Sequence, residues 1–221
     1  MPRRPPPGPL WRKALASLAS LPPVRSIVEH LMDNPPEPRY TQAEAYAPME
    51  AAAAEAVAAL PDFPGFKERI WSELPATSGG IDVPGFTIVE ITYVFSLPDS
   101  GTPLVRETYV DVLREHWTSL GYTVTRDAVK EKAGRTDRSL VAIRPDGIAL
   151  WYWAAGHTVL RVQSGPVTVS EPEAIEYVPP SGGVMPGGRY DKVARYFPGG
   201  IPADRDAVDP FDSPDSYEDD L

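Results

Sequence analysis

Cysteine is absent from the chain, which excludes disulfide staples, thiolate metal ligands and a cysteine nucleophile. Histidine is scarce: His30, His116 and His157 stand far apart, without the spacing that would bring two imidazoles onto one metal. The acidic residues show no calcium-loop pattern. No apolar run approaches the ~20 residues that a membrane-spanning helix needs, so stable membrane insertion is not expected. The Gly-Gly pairs at 182–183, 187–188 and 199–200 lie in proline-rich chain rather than between a strand and a helix, so they are not phosphate loops. His157 beside the Ala155-Gly156 turn and Ser164 at a strand end do not form a nucleophile elbow, and His116 reads as a core-edge histidine bonded to backbone. These absences leave no catalytic residues, no metal and no cofactor to assign, and the chain is not expected to be an enzyme.

What is present begins with charge. The formal net charge is −10, unevenly spread. Residues 1–28 carry five cations (Arg3, Arg4, Arg12, Lys13, Arg25) and no acid, whereas residues 170–221 carry twelve acids against four cations. An acidic whole argues against non-specific nucleic-acid binding, which needs a dense cationic footprint. The basic start suits an acidic partner, a membrane surface or plain solvent. The 27 prolines among 221 residues, well above the usual share of ~5%, concentrate at the two ends.

Three regions follow. Residues 1–40 read as a proline-rich, basic segment with short amphipathic helices, one carrying Trp11, Leu15, Leu18 and Leu21 on a single stripe. Residues 41–168 read as an α+β domain. Its first helix, 42–60, opens with the capping box Thr41…Glu44, contains Pro48, runs through the alanines at 51–59 and stops at Leu60-Pro61. A shorter helix is expected over 66–74, with Phe66, Ile70, Trp71 and Leu74 on a common face. Residues 169–221 read as an acidic, largely irregular tail.

The core, 86–164, carries the sharpest patterns. Residues 86–97 alternate as a strand does, with Val89, Ile91, Tyr93 and Phe95 pointing one way. Thr102-Pro103 starts a helix whose apolar stripe is Val105, Tyr109, Val112, Leu113, His116, Trp117 and Leu120, with Gly121 as its stop. Its opposite face, Arg106, Glu107, Asp111, Arg114 and Glu115, reads as solvated charge. Strands follow at 122–127, 138–144, 148–154 and 158–164, with a basic loop at 128–137 and a tight turn at Pro145-Asp146-Gly147. The order β-α-β-β-β-β predicts an antiparallel sheet with one helix packed on a face, preceded by N-terminal helices and followed by the Pro/Gly/acidic tail.

Binding residues are expected where aromatics leave the core. On 148–154, Ile148, Leu150 and Tyr152 alternate with Trp151 and Trp153, so whichever set meets the helix leaves the other on the far face. In the tail, Tyr196, Phe197, Phe211 and Tyr217 are spaced through acidic chain as docking anchors, for a partner or for the protein's own sheet.

The runs Trp117-Thr-Ser-Leu-Gly-Tyr122, Ala142-Ile-Arg-Pro-Asp-Gly147 and Leu160-Arg-Val-Gln-Ser164 carry the patterns W-x2-L-G-Y, A-x3-D-G and L-x-V-x-S. In these the chain resembles a family of uncharacterised actinobacterial small proteins and lipoproteins, some encoded near type VII secretion genes. The resemblance covers about residues 86–168 and implies a fold rather than an activity. Where such proteins often carry a cysteine, this chain has Ser164-Gly165-Pro166. From the tryptophan strand, the oppositely charged ends, the acidity and the lack of catalytic residues, rather than from the resemblance, comes the expectation of a cytoplasmic, non-catalytic module that binds another protein through its sheet face and tails, as a secretion-accessory or immunity protein does. A scaffold subunit with wrapping arms and a small-ligand module remain the alternatives.

Overall fold

A computed structural model describes residues 38–78, 81–132, 134–193 and 196–197. The helices expected before residue 38, and Phe211 and Tyr217, lie outside the described residues.

The chain enters the fold at Thr41, where both halves of the capping box form. Thr41 Oγ1 accepts from the Glu44 N–H at 3.2 Å, and the Glu44 carboxylate accepts from the Thr41 N–H at 2.8 Å. Helix α1 runs Gln42–Ala59 with Pro48 inside it. The proline costs one backbone bond, to the carbonyl four residues back, without ending the helix. Ala45, Ala52, Ala53 and Ala56 are buried, and their small side chains bring α1 close to the sheet.

Where a helix over 66–74 is expected, the structure has strand β1, Glu68–Ser78. The run fits both periods: Phe66, Ile70, Trp71 and Leu74 make a helical stripe, while Arg69, Trp71 and Glu73 alternate with Ile70, Ser72 and Leu74. Pairing decides. From Glu68↔Val94 to Pro75↔Thr87, β1 joins a continuous antiparallel ladder with β2, Ile81–Val94, and that non-local satisfaction of the backbone outweighs a weak local preference.

After β2 come a single turn, α2 (Leu97–Ser100), a π-helical segment Leu104–Thr108, and helix α3 (Tyr109–Ser119). Thr102 Oγ1 accepts from the Val105 N–H at 3.3 Å, so the expected cap forms ahead of the π turn. Val105, Tyr109, Leu113 and Trp117 of the predicted stripe are buried. Strands β3 (Thr123–Lys132) and β4 (Arg135–Ile143) form one long hairpin, so the stretch expected as a basic loop is ladder instead. Strands β5 (Ala149–Ala155) and β6 (His157–Gln163) complete the meander. Gly147, at φ 89°, takes the left-handed position of the β4–β5 turn that a Cβ would disfavour.

The fold is mixed α/β: a large sheet with few helices. The strands β3, β4, β5, β6, β2 and β1 lie side by side in that order, followed by β8 (Asp191–Lys192), with β7 (Val167–Thr168) beside β2. The sheet is mixed rather than wholly antiparallel, because β8 (Asp191–Lys192) runs parallel to β1. Helix α1 packs on β2 and β6, and α3 on β3 and β4. Both therefore share the face that buries Val89, Ile91, Tyr93, Leu140, Leu150, Tyr152, Leu160 and Val162. The Tyr152 hydroxyl donates to the Val105 carbonyl at 2.7 Å, joining sheet to π segment.

The start of the tail is irregular chain held against the fold. Regular structure is sparse, as its prolines dictate, but Ile175, Val184, Val193 and Phe197 are buried. Phe66 N–H donates to the Gly182 carbonyl at 2.7 Å and Arg69 N–H to the Tyr190 carbonyl at 2.9 Å, so the segment is bonded along β1.

Candidate functional site

Two arrangements stand out, one buried and one on the surface. The buried one centres on Arg69, which α1, β1 and the tail seal from solvent. Its guanidinium grips Asp191 with two bonds, Nε to Oδ1 at 2.7 Å and Nη2 to Oδ2 at 2.9 Å. Nη1 donates to Glu50 Oε1 at 2.8 Å, to the Tyr46 hydroxyl at 2.9 Å and to the Val178 carbonyl at 2.8 Å. The Tyr93 hydroxyl donates to Glu50 Oε2 and itself accepts from the Ser181 N–H. Asp191 also accepts from the Tyr177 hydroxyl at 2.6 Å and the Gly187 N–H at 3.1 Å. Burial pushes the Glu50 carboxyl up to about 7, although Arg69 and Tyr93 pull it back. The same burial, with Glu50 beside it, raises the Tyr93 phenol.

A carboxyl in that range has the value of a general acid or base. Both Glu50 oxygens, however, are taken by Arg69 and Tyr93. The cluster acts as a clasp, tying α1, β1, β2 and residues 177–191 together, and the sequence signal for it was weak because its members lie up to 145 positions apart, between Tyr46 and Asp191.

The surface arrangement is the sheet face away from the helices. Leu150, Tyr152 and Ala154 are buried, so alternation sends Trp151 and Trp153 to the far side, where each is half-buried. Trp151 lies opposite Val141 and Arg161, and Trp153 opposite Ser139 and Val159. Thr92 and Val94 continue these rows on β2, and Ile70 on β1. The indole Nε1 of Trp151 is buried with no hydrogen-bond acceptor.

Beyond a bulge at Thr125, β3 is charged by face. Arg126, Ala128 and Lys130 pair with Val141, Ser139 and Asp137 on the outer side, whereas Asp127, Val129 and Glu131 pair with Leu140, Arg138 and Thr136 on the helix side. Arg126 Nε donates to Ser139 Oγ at 2.8 Å. Lys132 and Arg135 each reach Asp137 at 2.9 Å. Burial raises the Asp137 carboxyl, but the hydrogen bond from Lys132 and the charge of Arg135 prevail and hold it below the usual carboxylate range. Arg161 lies 3.2 Å from Glu90, whose carboxyl burial raises against that attraction.

No family model, curated protein or solved structure matches this chain. A functional reading therefore starts from these residues.

Of the residues singled out from sequence, the structure brings Trp151 and Trp153 together on one face. Tyr196 and Phe197 are elsewhere, packed on the protein's own core: the Phe197 ring lies 5.6 Å from Tyr46 and 5.2 Å from Tyr177, and Tyr196 lies 5.1 Å from Trp71. Phe197 is 4% exposed and is removed from the set of partner-binding residues, because its ring completes the hydrophobic wall above the clasp. Ser164 is a strand-end fixture, its hydroxyl accepting from the Val89 N–H and donating to the Gly165 carbonyl. His116 has its Nε2 buried without the backbone bond expected for it. Arg106, expected in solvent, folds inward and donates to the carbonyls of Thr136 at 2.7 Å and Ala154 at 3.1 Å. Among the described residues no group of three or more His, Asp or Glu is placed to hold a metal, and no helix is long and apolar enough to cross a membrane.

Proposed function

We propose that the protein is a non-catalytic interaction module that docks another protein on the outer sheet face, around Trp151 and Trp153. The carrying observation is that these two large aromatics share a face that neither α1 nor α3 packs against, while the inner face has a complete core. Tryptophan and arginine are the side chains that most often dominate docking energetics, and this face offers both in adjacent rows, Trp151 beside Arg161. The reading supports a cytoplasmic protein of the secretion-accessory or immunity kind, with no nucleic acid as ligand.

The test is affinity capture from native lysate with the full chain and with the variant Trp151→Ala, Trp153→Ala, each first matched for thermal unfolding. A stoichiometric protein retained by the wild type and lost by the variant is the expected result. Equal recovery by both, or none by either, removes the face from consideration. A scaffold role would instead show as self-assembly in light scattering, insensitive to the two tryptophans.

A further inference from the structure

The outer face is not simply aromatic. Around the tryptophans it gathers Arg126, Lys130 and Lys132 on β3, Arg135 on β4 and Arg161 on β6, against Asp137 and Glu90, with the paired Glu68 and Lys192 at the far β1–β8 edge of the same face. A chain of net charge −10 thus presents a locally cationic, tryptophan-bearing surface. The alternation along β3 produces it, by sending its cations outward and Asp127 and Glu131 toward the helices.

We propose that this face takes an extended acidic peptide carrying aromatic side chains, and that residues 204–220 of the same molecule are that peptide. This rests on the docking role proposed for the face and names its occupant. Residues 204–220 hold eight carboxylates, one arginine (Arg205) and two aromatics, Phe211 and Tyr217, each flanked by acids. Charge matches charge, and ring matches ring. The segment before residue 38 does not fit, since its first 28 residues carry only cations.

Reach is sufficient. Phe197 is anchored near β1. From there to β3 the sheet spans five strand spacings of ~4.8 Å, about 24 Å. The 14 residues from Phe197 to Phe211 cover up to ~46 Å when extended, enough to round the sheet edge and cross it. A carboxylate arriving there also meets Arg126, whose described partner is only the neutral Ser139 hydroxyl. An occupied face is closed to other ligands, so an acidic motif on a partner would have to compete with the tail.

Zero-length carbodiimide cross-linking of the full chain, read by peptide mass spectrometry, tests the assignment. Equal amounts of unlabelled and nitrogen-15-labelled protein are mixed beforehand. Expected are amide links from Lys130 or Lys132 to carboxylates between Asp209 and Asp220, within one isotope label. Their yield should fall at least fivefold in 0.5 M sodium chloride, and by a similar factor in Arg126→Glu and in Trp151→Ala, Trp153→Ala. Links from the tail only to Lys13, Lys67 or Lys192, mixed-label links, or yields indifferent to salt and to the face variants overturn it. Displacement of the links by oligothymidylate, at equal phosphate and carboxylate concentration, would reassign the face to nucleic acid and overturn it as well. If the links are absent while a captured protein is still lost with the tryptophans, the tail assignment alone fails. If capture also fails, the reading of the face fails with it.

Discussion

Replacing Asp191 by alanine should unclasp the tail from the sheet. The carboxylate receives Arg69 Nε and Nη2, the Tyr177 hydroxyl and the Gly187 N–H, and is buried. Alanine leaves these donors facing a void and leaves the Arg69 charge with only Glu50 to balance it. Breaking one side of a buried ion pair costs ~3–5 kcal/mol, and the surviving Glu50 contact at 2.8 Å places the loss at the lower end, about 3 kcal/mol. Against a typical total of ~5–15 kcal/mol, and at roughly 2–4 °C per kcal/mol for a chain of this size, the melting temperature should drop by about 6–12 °C. Urea unfolding followed by tryptophan fluorescence gives the free energy, and limited proteolysis shows whether cleavage concentrates at residues 177–191 before the sheet opens. The double variant Arg69→Met, Asp191→Ala should lose less than the sum of its singles, because the Arg69–Asp191 pair is then removed from both sides, while the loss of the Arg69 contact to Glu50 is common to the double variant and the Arg69 single. A loss under ~1 kcal/mol for Asp191→Ala, with unchanged proteolysis, would refute the clasp.

Glu50→Gln should flatten the pH dependence of stability. With its carboxyl raised from 4.5 to about 7 in the fold, the native state holds a proton that the unfolded state releases. That stabilisation is present below about 4.5 and lost as pH rises through about 7, a difference of up to ~3 kcal/mol; unfolding free energies of both proteins at pH 4 and 8 measure it. Gly182→Ala should cost about 1–3 kcal/mol in denaturant unfolding, since its Cβ would stand 2.6 Å from Phe66 Cδ2 at φ +73°. Arg106→Met should cost about 2–3 kcal/mol in the same assay, because it strips the Thr136 and Ala154 carbonyls of a charged donor, whereas a solvated arginine there would leave stability unchanged.

How much of this was readable beforehand varies with the range of the forces involved. The capping box at Thr41 and Glu44 depends on residues three positions apart, and it formed as written. The α3 stripe and the β5 alternation likewise follow from 3.6- and 2-residue periods, so Tyr109, Leu113 and Trp117 faced the core and Trp151 parted from Tyr152. The segment 66–74 satisfied both periods at once, and only its partner β2 resolved it as strand. For the candidate face, the tryptophans were visible as a pair, but which side they would take was open until Leu150 and Tyr152 packed inward.

The tail shows the division most clearly. Composition alone dictated that residues 169–193 would have little regular structure, because proline removes donors and glycine favours no one conformation. The spaced aromatics left open that the tail could dock on the protein's own sheet, but not through which charges, since an acid at 191 meets an arginine at 69 only when β8 lies along β1. By itself the sequence determined periodicity, caps and the sign of each region's charge, which are local properties of neighbouring residues. Tertiary structure decided which charges are buried together, as in Arg69 with Glu50 and Asp191, and which are displayed, as in Arg126 and Lys130 beside the tryptophans. Both outcomes depend on strand pairing between distant segments, whose register sets the face on which every side chain emerges.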